Sequence, residues 1–115
     1  MIRPVAMPSR HRSMKLPVEE SELIFCDVQD IVRHLRKSNP IVATRFVQAF
    51  RSAVLQLSEM PHLGRLRPDL GAPGVRSWRV GAFRNFLLFY EVLPDRLRLL
   101  RVLHGYRDLQ AEMHK

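Results

Sequence analysis

From about Glu22 the apolar positions recur at helical spacing. Ile24, Val28, Ile31 and Leu35, flanked by Phe25 and Val32, form one stripe, while Asp27, Asp30, His34 and Lys37 line the opposite side. The pattern predicts an amphipathic helix ending near Ser38. Asn39-Pro40 reads as the start of a second helix, because Asn39 can cap the free N–H groups and Pro40 suits a first position whose N–H has no partner. This helix places Val42, Phe46, Ala49, Phe50, Ala53, Val54, Leu57 and Met60 on one stripe, and Pro61 limits it. Two antiparallel helices joined by so tight a turn make a hairpin with one wide apolar face, which needs a surface to cover it.

Beyond Gly74 the period changes to that of strands. Three β-rich runs follow, Val75 to Val80, Phe86 to Val92 and Leu97 to His104, separated by Gly81-Ala-Phe-Arg-Asn85 and by a turn through Pro94 and Asp95. Connections this short join only antiparallel neighbours. The middle run is apolar on both faces and is therefore expected at the centre of the sheet. A four-residue loop from Leu93 to Arg96 sets Val92 opposite Leu97, Glu91 opposite Arg98, Tyr90 opposite Leu99 and Leu88 opposite Arg101. One face then carries Phe86, Leu88, Tyr90, Val92, Leu97, Leu99, Arg101 and Leu103; the other carries Leu87, Phe89, Glu91, Arg98, Leu100, Val102 and His104. One face is expected to meet the helices and the other a partner. A short strand within Lys15 to Glu20, limited by Pro17, belongs at an edge. The fold class predicted is α+β: an N-terminal strand and a helix hairpin packed on a small twisted antiparallel sheet.

Length and charge refine this picture. A chain of 115 residues supports one core. Residues 15–109 form the expected domain, between a basic tail over 1–14, expected to be disordered, and a short segment over 110–115. The net charge of +8 is unevenly spread: residues 16–60 hold five basic and six acidic side chains, whereas residues 61–115 hold ten basic and five acidic. Sixteen of the nineteen cations are arginine, suited to bidentate contacts with carboxylate or phosphate. Such a surface implies an acidic partner, either nucleic acid or protein. A single cysteine, Cys26, and the lack of a signal-like start point to a reducing cytoplasm. No apolar run is long enough to span a bilayer, so no membrane partner is expected.

Catalytic signals are sparse. The histidines His11, His34, His62, His104 and His114 lack metal-ligand spacing, and the glycines of residues 64–74 lack the lysine and hydroxyl of a phosphate loop. No metal or cofactor is expected. The carboxylates of the first helix read as a solvated face. What remains is a set of cations, Arg76, Arg79, Arg84, Arg98, Arg101 and Arg107, with His104, Tyr90 and Tyr106 among them. Such a set can stabilise phosphate in RNA cleavage or serve as a docking surface.

The order of these elements, with Asp27-Val28-x-Asp30-Ile31, Ala43-x-Arg45-Phe46, Pro61-x-x-Gly64-Arg65, Val75-Arg76, Asn85-Phe86-Leu87-Leu88-Phe89-Tyr90 and the closing Arg101-Val102-Leu103-His104-Gly105-x-Arg107-Asp108, resembles the RelE/ParE superfamily of type II toxin-antitoxin toxins. The resemblance covers residues 15–109. It implies a toxin neutralised in a hetero-oligomer by a cognate antitoxin. The ending resembles the ParE branch, whose members act on DNA gyrase and for which no catalytic residues are carried over; the partner-binding residues expected are Arg76, Arg79, Arg84, Leu87, Phe89, Arg98, Leu100, Arg101, His104 and Arg107, with an antitoxin similar to ParD. The alternative is a ribosome-dependent, metal-independent mRNA endoribonuclease of the same fold, for which Arg76, Arg79, Arg101, His104 and Arg107 are the candidates. Against it, the run from Phe86 to Val92 contains no cation, and Tyr90 shares its face with Leu88 and Leu99 as a core residue would.

Overall fold

The computed structural model describes residues 15–105. Strand β1 (Val18–Glu20) leads into helix α1 (Glu22–Ser38), helix α2 (Pro40–Glu59), strand β2 (Arg65–Leu66) and the meander β3 (Val75–Val80), β4 (Phe83–Val92) and β5 (Leu97–His104). The helix boundaries follow from local chemistry. The Ser21 hydroxyl accepts the Ile24 N–H, and the Asn39 side chain accepts the Ile41 N–H. Asn39 also donates its own N–H to Leu35 O, so one residue ends α1 and starts α2.

The five strands lie in the order β1-β5-β4-β3-β2, which makes β4 the centre as its two-sided apolar character predicts. The meander is antiparallel. β1 lies at one edge, as Pro17 requires, but runs parallel to β5, and the Pro17 carbonyl accepts the Leu97 N–H. β4 starts three residues earlier than the sequence pattern suggests, at Phe83, so Arg84 belongs to the central strand. The reversal before it is confined to Gly81-Ala82; Gly81 takes a left-handed φ of 52°.

The hairpin packs on one sheet face. Ile24, Phe46, Phe50, Leu57, Val80, Leu88, Tyr90, Leu97, Leu99 and Val102 form the buried core. Each fully buried large side chain contributes about 1.5–3 kcal/mol against exposure. On α2 the inward positions include Ala43, whereas Met60 is exposed beyond the last turn. Phe25, flanking the α1 stripe, is also exposed.

The register between β4 and β5 is as expected for Val92↔Leu97, Glu91↔Arg98 and Tyr90↔Leu99, and then shifts. A bulge leaves Leu100 as an extra residue, so Phe89 faces Arg101, Leu88 faces Val102 and Phe86 faces His104. Beyond it the strand's faces exchange. Val102 joins the core and Leu103 joins the opposite face, the reverse of the expected arrangement.

Candidate interaction site

The sheet face away from the helices carries a second cluster, in which Val75, Phe89 and Leu103 are buried and Leu70, Leu87 and Leu100 pack partly buried against them. The 3₁₀ turn Pro68–Leu70 brings Leu70 onto this cluster. Arg67, only 7% exposed, anchors the turn. Its guanidinium donates to the Asp69 carboxylate at 3.0 and 2.8 Å and to the Ser77 hydroxyl at 3.2 Å, and lies 5.8 Å from the Phe89 ring centroid. Hydrogen bonding to Arg67 holds the Asp69 carboxyl below its usual range, and the same contact raises the guanidinium. The face expected to be open is therefore partly closed by the chain's own loop. Phe89 and Val102, expected on an exposed patch, are both buried.

The cations of the candidate set are distributed among separate tasks. Arg76, opposite Tyr90, donates to Gly64 O at 2.6 Å and His62 O at 3.3 Å. Arg98 pairs with Glu91 at 3.2 Å, the cross-strand pair that the sequence predicts, and its Nε lies 3.5 Å from Glu19. Glu19 also receives Arg96, and this hydrogen bond holds its carboxyl below the usual range. Arg101 grips Asp27 of α1 through Nε at 2.8 Å and Nη2 at 3.0 Å, and Asp27 also accepts the Val102 N–H at 3.0 Å. Asp27 is thus not part of a solvated helix face: it fastens α1 to β5 just after the bulge. His104 sits opposite Phe86, their rings edge-to-face at 5.5 Å, rather than on the patch with Leu87 and Phe89. Arg79 and Arg84 are exposed, and neither has an ion pair among the described residues. Leu87 and Leu100 are half-buried. Arg107, with Tyr106 and Asp108, lies outside the described residues.

Tyr90 is fully buried. Its hydroxyl donates to Pro61 O at 2.7 Å and accepts the Gly64 N–H at 2.8 Å, and burial pushes its pKa up. A phenol so held fixes the Pro61–Leu63 turn against the sheet. No group of three or more His, Cys, Asp or Glu side chains is gathered among the described residues as a metal site.

The family model described as the ParE toxin of the type II toxin-antitoxin system parDE matches residues 24–109. The chain belongs to the ParE toxin family. Its ParE fold is similar to that in the solved structure "Chromosomal ParDE TA system from P. aeruginosa", with a TM-score of 0.66 at 22% identity over 78% of this chain and 96% of that one. No curated protein matches it. No described helix of this ParE-family chain is long and apolar enough to cross a membrane.

Sequence reasoning missed three contacts of the site: Arg67 to Asp69 and Ser77, Asp27 to Arg101, and Tyr90 to the Pro61–Leu63 turn. For Arg67 the local string Arg67-Pro68-Asp69 carried a signal, since a proline between an arginine and an acid favours a turn that brings them together. The other two join residues 74 and 29 positions apart, and only the fold brings them together.

Proposed function

We propose that this chain is a toxin whose target is DNA gyrase in the cytoplasm, and that an adjacent ParD-like antitoxin neutralises it by binding its cationic surface in a hetero-oligomer. One observation carries the choice of target. Cleaving RNA without a metal requires several cations aimed at one phosphate, with an acid and a base beside them. Here Arg76 is bound to backbone carbonyls, Arg98 and Arg101 to carboxylates on different elements, and Tyr90 is sealed in the core. The arrangement supports docking rather than phosphoryl transfer. Among the described members of the expected set, Arg79 and Arg84 are the exposed ones and the most accessible to a partner.

The test is direct. Purified protein should inhibit gyrase supercoiling or trap cleaved DNA, and should leave translating ribosomes and their mRNA intact. Codon-positioned mRNA cuts on ribosomes, with gyrase unaffected, would overturn the target in favour of the endoribonuclease.

A further inference from the structure

A groove of about 650 Å³ runs between α2 and the edge of β3. Proteins hold small ligands in spaces of about 300–1,000 Å³. Ala49, Ala53, Leu63 and Trp78 give this groove an apolar wall. The β3–β4 turn comes against α2 at Gly81, where an added Cβ would lie 3.2 Å from the Ala49 Cβ, and so bounds the space on that side. Ser52 and Gln56 of α2 and Arg65 and Arg79 of the sheet edge add hydrogen-bond donors. None of the described residues lining the groove is acidic. Both arginines are exposed, and neither makes an ion pair among the described residues, although the field of Arg65 reaches Asp69.

This lining suits an anion joined to a flat, largely apolar body. A bare anion would leave the wall of Trp78 and the alanines facing water, and an uncharged ring would use neither guanidinium. An extended peptide fits poorly, because the sheet edge offers it no ladder. The Arg67 N–H is on Val75 O, the alternation that follows turns the backbone of Trp78 and Val80 towards β4, and the outward Arg79 carbonyl accepts the Gly81 N–H. The peptide's own N–H and C=O groups would lie against an apolar wall without partners. A nucleotide needs no ladder. Its phosphate matches the paired N–H groups of arginine, its base presents a flat face to an aromatic wall, and the polar edge of the base meets donors such as Ser52 and Gln56.

We propose that the groove between α2 and β3 binds a nucleotide, with its phosphate on Arg65 and Arg79 and its base against Trp78. The nucleotide is either free or part of a single strand, since both present the same chemistry to these residues. The inference does not depend on the choice of gyrase as target.

Trp78 is the single tryptophan of the chain, so the tryptophan fluorescence of the full-length protein reports on the groove alone. Titration with ATP and with a short oligothymidylate is expected to quench it saturably. Quenching by ATP assigns free nucleotides to the site, and quenching by the oligonucleotide alone assigns a strand. Arg65→Gln with Arg79→Gln should weaken binding by about tenfold or more, because each lost guanidinium removes a charged hydrogen bond. The control pair, Arg45→Gln with Arg51→Gln, lies exposed on α2 outside the groove and should change affinity several-fold less. Circular dichroism melts show that each variant is folded before it is compared; if the groove variant does not fold, the wild-type titrations with ATP, oligothymidylate and oligoglutamate decide. Absence of saturable quenching by either nucleotide probe, equal loss of affinity in the two variants, or quenching by oligoglutamate as tight as by the nucleotides would overturn the proposal.

Discussion

Adding one methyl group to Gly64 tests how the segment before β2 is held against the sheet. Gly64 has φ −68° and ψ 152°, open to any residue, so Gly64→Ala brings no backbone strain and probes contact alone. Its Cβ would overlap the Tyr90 hydroxyl and lie 2.7 Å from Cε1 and 2.9 Å from Cζ. The Tyr90 ring is fully buried among close-packed neighbours and cannot move aside. The segment must therefore lift, at an overpacking cost of about 1–3 kcal/mol. Lifting also strains the Tyr90 bonds to Gly64 N and Pro61 O and the Arg76 bond to Gly64 O, each contributing about 1 kcal/mol. With overpacking at about 2 kcal/mol and stretching removing about a third of each bond, the sum expected is about 3 kcal/mol, and a chain of this size should melt roughly 10 °C lower. Tyr90→Phe alone should cost about 2 kcal/mol through two lost hydrogen bonds. The double variant should fall short of additivity by about 1 kcal/mol, because the missing hydroxyl removes the worst overlap. Thermal and urea unfolding of the four proteins measure this. A Gly64→Ala melt within roughly 2 °C of wild type, or strict additivity with Tyr90→Phe, would refute the account.

Two further outcomes follow from named contacts. Asp27→Ala removes a partner of Arg101 and the acceptor of the Val102 N–H, and should destabilise by about 2–4 kcal/mol in urea unfolding, whereas Asp27→Asn, which keeps an acceptor, should cost less. Because burial raises the Tyr90 pKa, the folded state favours the neutral phenol: its contribution is intact below the ordinary tyrosine pKa of about 10 and is lost as pH rises through the higher folded value. Stability should therefore fall on the alkaline side of that point, and the fall should be shallower in Tyr90→Phe; equal slopes in pH-jump unfolding would count against it.

The sequence by itself determined the elements. The 3.6-residue stripes and the Asn39 cap define two helices, because capping and amphipathic spacing act within a few residues. Alternation, short turns and the two-sided apolar run from Phe86 identify a meander with β4 at its centre. The turn after Val92 also fixes the first three cross-strand pairs, since a hairpin loop dictates register next to itself.

Tertiary structure decided what happens farther away. The Leu100 bulge is invisible in the hydrophobic pattern, since Leu100, Val102 and Leu103 are all apolar and suit either face; yet it moves Val102 into the core and His104 opposite Phe86. Which arginines are engaged was equally hidden, because a guanidinium's partner is set by three-dimensional proximity. Asp27 and Arg101 lie 74 residues apart, and Arg76 finds its carbonyls 12 and 14 residues back. β2 stops after two residues, and Gly64 just before it turns inward to a tyrosine from the central strand, 26 positions away. Spacing along the chain specifies local hydrogen bonds, whereas the sites of this protein depend on surfaces that meet only when the sheet, the hairpin and the loop pack together.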